Sequence, residues 1–179
     1  MIRLRGFLSQ MMAVVFITAA PCIATLIGFS PKTRKTSGNI RWFFFDIDDF
    51  KSVVDSHGHL VGAKTLKEIA EAVQSCLDTH DRIVRYGGDE FVVILPRYSK
   101  AEAVRKTLCI KESVANTPYL QKEGIDLHVT ASFGVATFSE DAEDKRSLLA
   151  QADQCLFESK DHGKNRIKLQ GRETDGFIV

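Results

Sequence analysis

The seven residues Arg85-Tyr86-Gly87-Gly88-Asp89-Glu90-Phe91 constrain this chain more than any other stretch. Apolar Ile83-Val84 lead into them and Phe91-Val92-Val93-Ile94-Leu95 lead out. Two β-rich runs joined by a glycine-containing turn read as a hairpin. This turn places two carboxylates, Asp89 and Glu90, directly after two glycines. Glycines let the backbone turn tightly and let a bulky anion approach with no Cβ in the way. Carboxylates beside such an approach repel a phosphate unless a divalent cation sits between them. Residues 87–91 therefore read either as a metal-assisted phosphate site or as a solvated turn, in which Gly and Asp abound for backbone reasons alone.

A second acidic set bears on that choice. Trp42-Phe43-Phe44-Phe45 has the pattern of a buried strand and runs straight into Asp46-Ile47-Asp48-Asp49-Phe50-Lys51. Carboxylates at the end of an apolar strand, joined by carboxylates on a hairpin, are what a two-metal site asks of a sheet.

Gly87-Gly88-Asp89-Glu90-Phe91 resembles the signature of the GGDEF family, the diguanylate cyclases. Asp46-Ile47-Asp48-Asp49-Phe50-Lys51 is similar to that family's first acidic motif, and His57-Gly58-His59-Leu60-Val61-Gly62 to the segment after it. Thr130-Ala131-Ser132-Phe133-Gly134-Val135-Ala136 resembles the family's late strand, and Lys160-Asp161-His162-Gly163-Lys164-Asn165-Arg166 its C-terminal signature. The resemblance runs from about residue 41 to residue 168, in the family's order. It implies a palm-like, ferredoxin-related sheet of the nucleotidyl-cyclase type. It implies an enzyme that condenses two GTP into cyclic di-GMP with release of pyrophosphate, as a homodimer in which two facing domains each bring one substrate. Carried over, Asp46, the Ile47 carbonyl and Asp89 hold two Mg2+ (or Mn2+) ions per site. Gly87, Gly88 and Glu90 complete the catalytic turn. The backbone of Asp49, Phe50 and Lys51 cradles the terminal phosphates, with Lys160 and Lys164 pairing to them. The family usually has Arg at the place of Lys164; Lys keeps the charge and loses the bidentate fork. Without the resemblance, Lys160 and Lys164 read as an exposed helix end.

Several positions depart from the family. Its guanine-reading Asn and Asp fall on Val54 and Ala63. A site that hydrogen-bonds a base discriminates strongly, and one lined by Val and Ala does not. A relaxed-specificity cyclase making a mixed cyclic dinucleotide is one alternative. A degenerate, non-catalytic domain that binds nucleotide or a protein partner is another. The family's Arg-x-x-Asp feedback site reads Asp78-Thr79-His80-Asp81, with an acid at the place of Arg. His57 and His59 read as loop hydrogen-bonders, with no third nitrogen or sulfur ligand beside them in sequence. The family's Asp-x-Leu-Thr-Gly-Leu-x-Asn-Arg entry motif has no counterpart here.

Hydrophobic periodicity places the elements. Strands are expected at 40–47, in a hairpin over 82–95 that Pro96 ends, at 126–138 and at 167–169. Helices are expected at 61–77, after a loop through Gly58 and Gly62, and at 99–115 and 144–159. Helices alternating with an antiparallel hairpin give an α+β layer fold. With 179 residues the chain fits one core. A net charge of +1 gives no basic groove for a nucleic-acid template, which disfavours a polymerase-like palm. The four cysteines, Cys22, Cys76, Cys109 and Cys155, are widely spaced in sequence and share no metal-ligand spacing. They suit a reduced, cytoplasmic setting, and three of them lie in helical apolar patterns, where a free Cys packs as a small hydrophobe.

Residues 7–29 carry no charge, and Arg3 and Arg5 precede them while Lys32, Arg34, Lys35 and Arg41 come after. That stretch is long enough to cross a bilayer, and the heavier downstream charge keeps the C-terminal side cytoplasmic. A buried helix covering the sheet is the competing reading. The expected organisation is a hydrophobic segment and linker over 1–39, a catalytic domain over 40–170 and a tail over 171–179.

Overall fold

The computed structural model describes residues 14–16, 40–137, 141–142, 144–171 and 177–178. In chain order its elements are β1 (Val14–Phe16), β2 (Ile40–Ile47), α1 (Phe50–His57), α2 (His59–Ser75), β3 (Arg82–Gly87) and β4 (Glu90–Pro96). There follow α3 (Lys100–Asn116), a 3-10 turn at Gln121–Glu123, β5 (Ala131–Thr137), α4 (Lys145–Asp161), β6 (Ile167–Leu169) and β7 (Phe177–Ile178).

The sequence of β2 dictates its place. Side chains along a strand alternate between faces, and here both halves of the alternation are apolar. Trp42 and Phe44 point one way; Phe43, Phe45 and Ile47 point the other. Such a strand must be covered twice, so it belongs in the middle. The sheet order is β1-β3-β4-β2-β5-β6-β7, with β2 antiparallel to both neighbours. On one face Phe43, Phe45 and Ile47 meet Leu66, Ile69 and Val73 of α2 and Ile110 and Val114 of α3. On the other Trp42 and Phe44 meet Leu148, Ala152 and Leu156 of α4. Phe45 stacks between Phe91 and Phe133, with centroids 5.0 and 5.3 Å away. Rings buried like these contribute roughly 1.5–3 kcal/mol each. The result is a three-layer α+β arrangement of the palm type.

Close packing sets one residue of β5. A Cβ on Gly134 would lie 2.1 Å from the Ala152 carbonyl oxygen and 2.3 Å from the Leu156 nitrogen. The backbone of α4 rests directly on that strand, and only glycine leaves room.

Two expectations are corrected. The stretch before residue 61 is no loop: α1 occupies it, and Gly58, at φ 85°, breaks it from α2. Strand β5 starts at Ala131 rather than 126, because it is buried on both faces and shows a continuous run instead of alternation. Phe157 of α4, although apolar, is 65% exposed. The proposed membrane anchor at 7–29 lies outside the described residues, apart from Val14–Phe16. Those three form a parallel edge strand against Ile83, Val84 and Arg85. Among the described residues no helix is long and apolar enough to cross a membrane.

Candidate active site

Strand alternation puts Asp46 on the same face as Trp42 and Phe44, the face that α4 covers. Lys160 follows Leu156 by one helical turn on α4 and so arrives over Asp46. Their Nζ and Oδ1 atoms are 2.7 Å apart. In the β2–β4 ladder Asp46 stands opposite Glu90. The β3–β4 connection is the two-residue turn Gly88-Asp89, and the Ile47 N–H donates to the Asp89 carbonyl oxygen at 3.4 Å. Asp46, Asp89 and Glu90 thus meet at one end of the sheet. Asp46 is only 6% exposed. Burial pushes its carboxyl up to about 6; the Lys160 ammonium opposes that rise, and the nearby charges of Asp89 and Glu90 add to it.

The turn is held from behind. Arg85 Nε and Nη2 both donate to the Gly88 carbonyl oxygen, at 2.8 and 2.5 Å. A Cβ on Gly87 would sit 2.9 Å from Glu90 Oε2, whereas around Gly88 there is open space. The glycine pair therefore does two jobs: Gly87 clears Glu90, and Gly88 leaves the approach to Asp89 open.

Asp48 lies two residues beyond Asp46 and is equally buried, at 7%. It plays the opposite part. Its Oδ1 accepts from Ser132 Oγ at 2.7 Å, and its Oδ2 from Thr130 Oγ1 at 2.7 Å and from the Asn165 N–H at 3.0 Å. Those bonds tie the end of β2 to the start of β5 and to the loop after α4. Asp49 caps α1 in the left-handed region, at φ 54°, and no side chain caps the helix. Lys164 Nζ reaches Asp49 Oδ1 at 2.5 Å, which holds the ammonium pKa above its usual value. The loop 164–165 itself runs through positive φ at Lys164 and Asn165.

Beside the turn lies a cleft of about 560 Å3. It is lined by Phe50, Lys51, Val54, Asp55, His59, Gly62, Ala63 and Leu66, and by Arg85, Gly88 and Asp89. Val54 and Ala63 therefore share one cavity with Asp89. Lys51 is paired with Asp55 across one turn of α1. Asp78 and Asp81 are elsewhere, at the entry to β3. Tyr98 donates to both carboxylates, and Lys106 Nζ lies 3.1 Å from Asp78 and 3.9 Å from Asp81.

The sequence reading passed over Arg85 and Asp48, and Asp55 and His59 as cleft walls. Only Asp48 carried a signal: it shares the parity of Asp46 but lies past the end of the strand. Arg85 acts through a carbonyl three residues on, which no spacing rule announces.

The chain is similar to known proteins over most of its length. The family model described as "Diguanylate cyclase, GGDEF domain" matches residues 29–166. Diguanylate cyclase A of Treponema denticola is 38% identical over 124 residues, which are 69% of this chain and 33% of that protein. The chain spans about a third of the length of such curated relatives. The active GGEEF domain of a diguanylate cyclase from Vibrio cholerae superposes with a TM-score of 0.71 at 25% identity, covering 79% of this chain and 88% of that one. The GGDEF domain of DgcB from Caulobacter crescentus, in complex with c-di-GMP, gives 0.72 at 27% identity, covering 78% and 80%. With the signature turn, the palm-type sheet and the family match all in one stretch, the chain belongs to the GGDEF domain family.

Proposed function

We propose that this chain condenses two molecules of GTP into cyclic di-GMP, with release of pyrophosphate, as a homodimer that brings two substrates face to face. One observation carries the reading: Asp46 is buried, crowded by Asp89 and Glu90, and answered by a single ammonium. An excess of carboxylate at the end of a sheet is a donor set for a hard cation. Among the described residues no three His, Cys, Asp or Glu side chains converge as a complete metal site. Mg2+ takes one or two protein carboxylates and completes its shell with water and substrate phosphate. Asp46, the Ile47 carbonyl and Asp89 would hold two Mg2+ or Mn2+ ions, with Glu90 in support. When bound, the ions would lower the pKa of the attacking hydroxyl and neutralise charge on the phosphoryl oxygens.

The chain's own residues do the rest. The first N–H groups of α1, with no capping side chain, suit the terminal phosphates of a nucleotide. Lys160 and Lys164 would exchange Asp46 and Asp49 for phosphate oxygens. The 3′-hydroxyl of each substrate then attacks the α-phosphorus of the other, and the bond to pyrophosphate breaks.

The base falls to the cleft of Val54, Ala63 and Leu66, whose apolar walls favour a second reading, a cyclase of relaxed base choice. Mass spectrometry of the products from Mg2+ with GTP, with ATP and with both separates the two. Cyclic di-GMP from GTP alone is the expected outcome. A mixed or adenine product assigns base choice to Val54 and Ala63. No product from folded protein overturns catalysis and leaves a nucleotide- or partner-binding domain.

A further inference from the structure

Cys76 and Cys109 stand 33 residues apart in sequence, yet their Sγ atoms are 3.0 Å apart. Cys76 caps the C-terminus of α2, and Cys109 lies on the outer surface of α3. Both backbones are fixed independently of the sulfurs. The Cys76 N–H donates to the Val73 carbonyl at 3.0 Å. Its own carbonyl accepts from Lys106 Nζ at 2.8 Å, and Lys106 precedes Cys109 by one turn of α3. One helix face thus grips Cys76 at two points, its carbonyl through Lys106 and its sulfur through Cys109. A disulfide needs its two sulfurs within reach of each other, and this packing brings them to 3.0 Å before any bond forms.

We propose that this thiol pair is a redox modification site, at which peroxide links Cys76 to Cys109 within one chain. The proposal is independent of the cyclase reading. Cys109 donates its S–H to Cys76, and that bond, with burial, pushes the Cys109 thiol up to about 11. Cys76, whose sulfur accepts that S–H, is assigned as the nucleophile. Its thiolate attacks one oxygen of hydrogen peroxide, the O–O bond breaks, hydroxide leaves and Cys76 becomes a sulfenic acid. The Cys109 sulfur then attacks the sulfenic sulfur, the S–S bond forms, and the departing hydroxyl leaves as water with the Cys109 proton. In all, two thiols lose two electrons and two protons, and peroxide becomes two waters.

The bond would fasten α2 to α3 just ahead of the 78–81 loop, which Lys106 also holds through Asp78. Cys155 provides a contrast: it lies on the buried face of α4, its Sγ donating to Gln170 Oε1, and burial pushes its thiol up to about 12.

The test uses the full chain with Cys22→Ser and Cys155→Ser, exposed to hydrogen peroxide at neutral pH, then denatured and alkylated with N-ethylmaleimide. The expected product is a monomer lighter by two hydrogens, unalkylated, restored by dithiothreitol, whose tryptic map joins residues 76 and 109. Adding Cys109→Ser should stop the reaction at a sulfenic acid on Cys76 that dimedone traps. Pairing in the folded protein should outpace pairing in urea by about tenfold or more, since only the fold holds the sulfurs together. Full alkylation after peroxide, linkage between two chains, or equal rates in urea would each overturn the proposal.

Discussion

Two acidic clusters sit at opposite ends of β3, roughly 20 Å apart along the strand, and they are built in opposite ways. At its entry Asp81 is 1% exposed. It accepts from the Tyr98 hydroxyl at 3.0 Å and from the Asp78 N–H at 2.9 Å, with Lys106 3.9 Å away. One oxygen, Oδ1, finds no partner. Asp78 is held below its ordinary pKa, first by the Tyr98 hydroxyl and then by Lys106. At the far end Asp46 is nearly as buried, has one ammonium for company, and is pushed up to about 6. Burial alone does not separate them; compensation does. A carboxylate whose charge the fold has satisfied is a structural part. One that the fold leaves short of positive charge is prepared for a partner from outside.

The largest effect expected from this contrast is at the hairpin tip. If Asp89 holds the metal as proposed, Asp89→Ala should lower turnover by about 10²-fold or more, because a metal ligand acts on the transition state by several kcal/mol. The half-exposed turn residue carries no packing, so the thermal midpoint should move by no more than about 2 °C. Retained turnover would remove Asp89 from the mechanism.

Next in size is a comparison two residues wide. Asp48→Ala strands the donors on Thr130, Ser132 and Asn165 and should cost about 3 kcal/mol in urea unfolding. Asp46→Ala removes a charge the metal-free fold tolerates poorly and should cost under about 1 kcal/mol. Equal losses at the two positions would erase the distinction between a satisfied and an unsatisfied carboxylate.

The pH dependence has a definite sign. The folded pKa of Asp46, about 6, lies above its ordinary value of 3.8. Its charge therefore costs the folded state stability, increasingly as pH rises from about 4 to 6. In EDTA, lowering the pH from 7 to 5 should recover about 1–2 kcal/mol. Asp46→Asn should flatten that slope. An unchanged slope would mean that the carboxyl is not destabilised.

How much of this was legible beforehand depends on the range of the interactions. Both acidic motifs sit at the ends of strongly apolar strands, so alternation alone brings Asp46 and Glu90 to one sheet edge. The hairpin, the three longer helices and β6 were readable for the same local reason. What escaped depends on distant partners. Asp48 is structural because of Thr130 and Ser132, some eighty residues away. Helix α1 was missed because it starts at a left-handed Asp49 with no capping side chain and ends at a glycine after eight residues. Cys76 and Cys109 looked unrelated because only the packing of α2 on α3 brings them together.

The smallest effect tests the compensated cluster. Tyr98→Phe deletes the hydroxyl that serves both Asp78 and Asp81 while keeping the ring over which Lys106 sits, 5.7 Å from its centroid. The cost in urea unfolding should be about 1 kcal/mol, the worth of a hydrogen bond to a charged group with one arm in solvent. Asp78 has a folded pKa below its ordinary 3.8, so its contribution is present above that pH and is lost as the pH falls through it. The penalty of Tyr98→Phe should therefore be constant from pH 8 to 5 and shrink below about pH 4. Turnover per folded molecule should not change, since the cluster is separated from Asp89 by the length of β3. If Tyr98→Phe lowered turnover without lowering stability, the entry to β3 would belong to the functional site, and the division between the two clusters would fail.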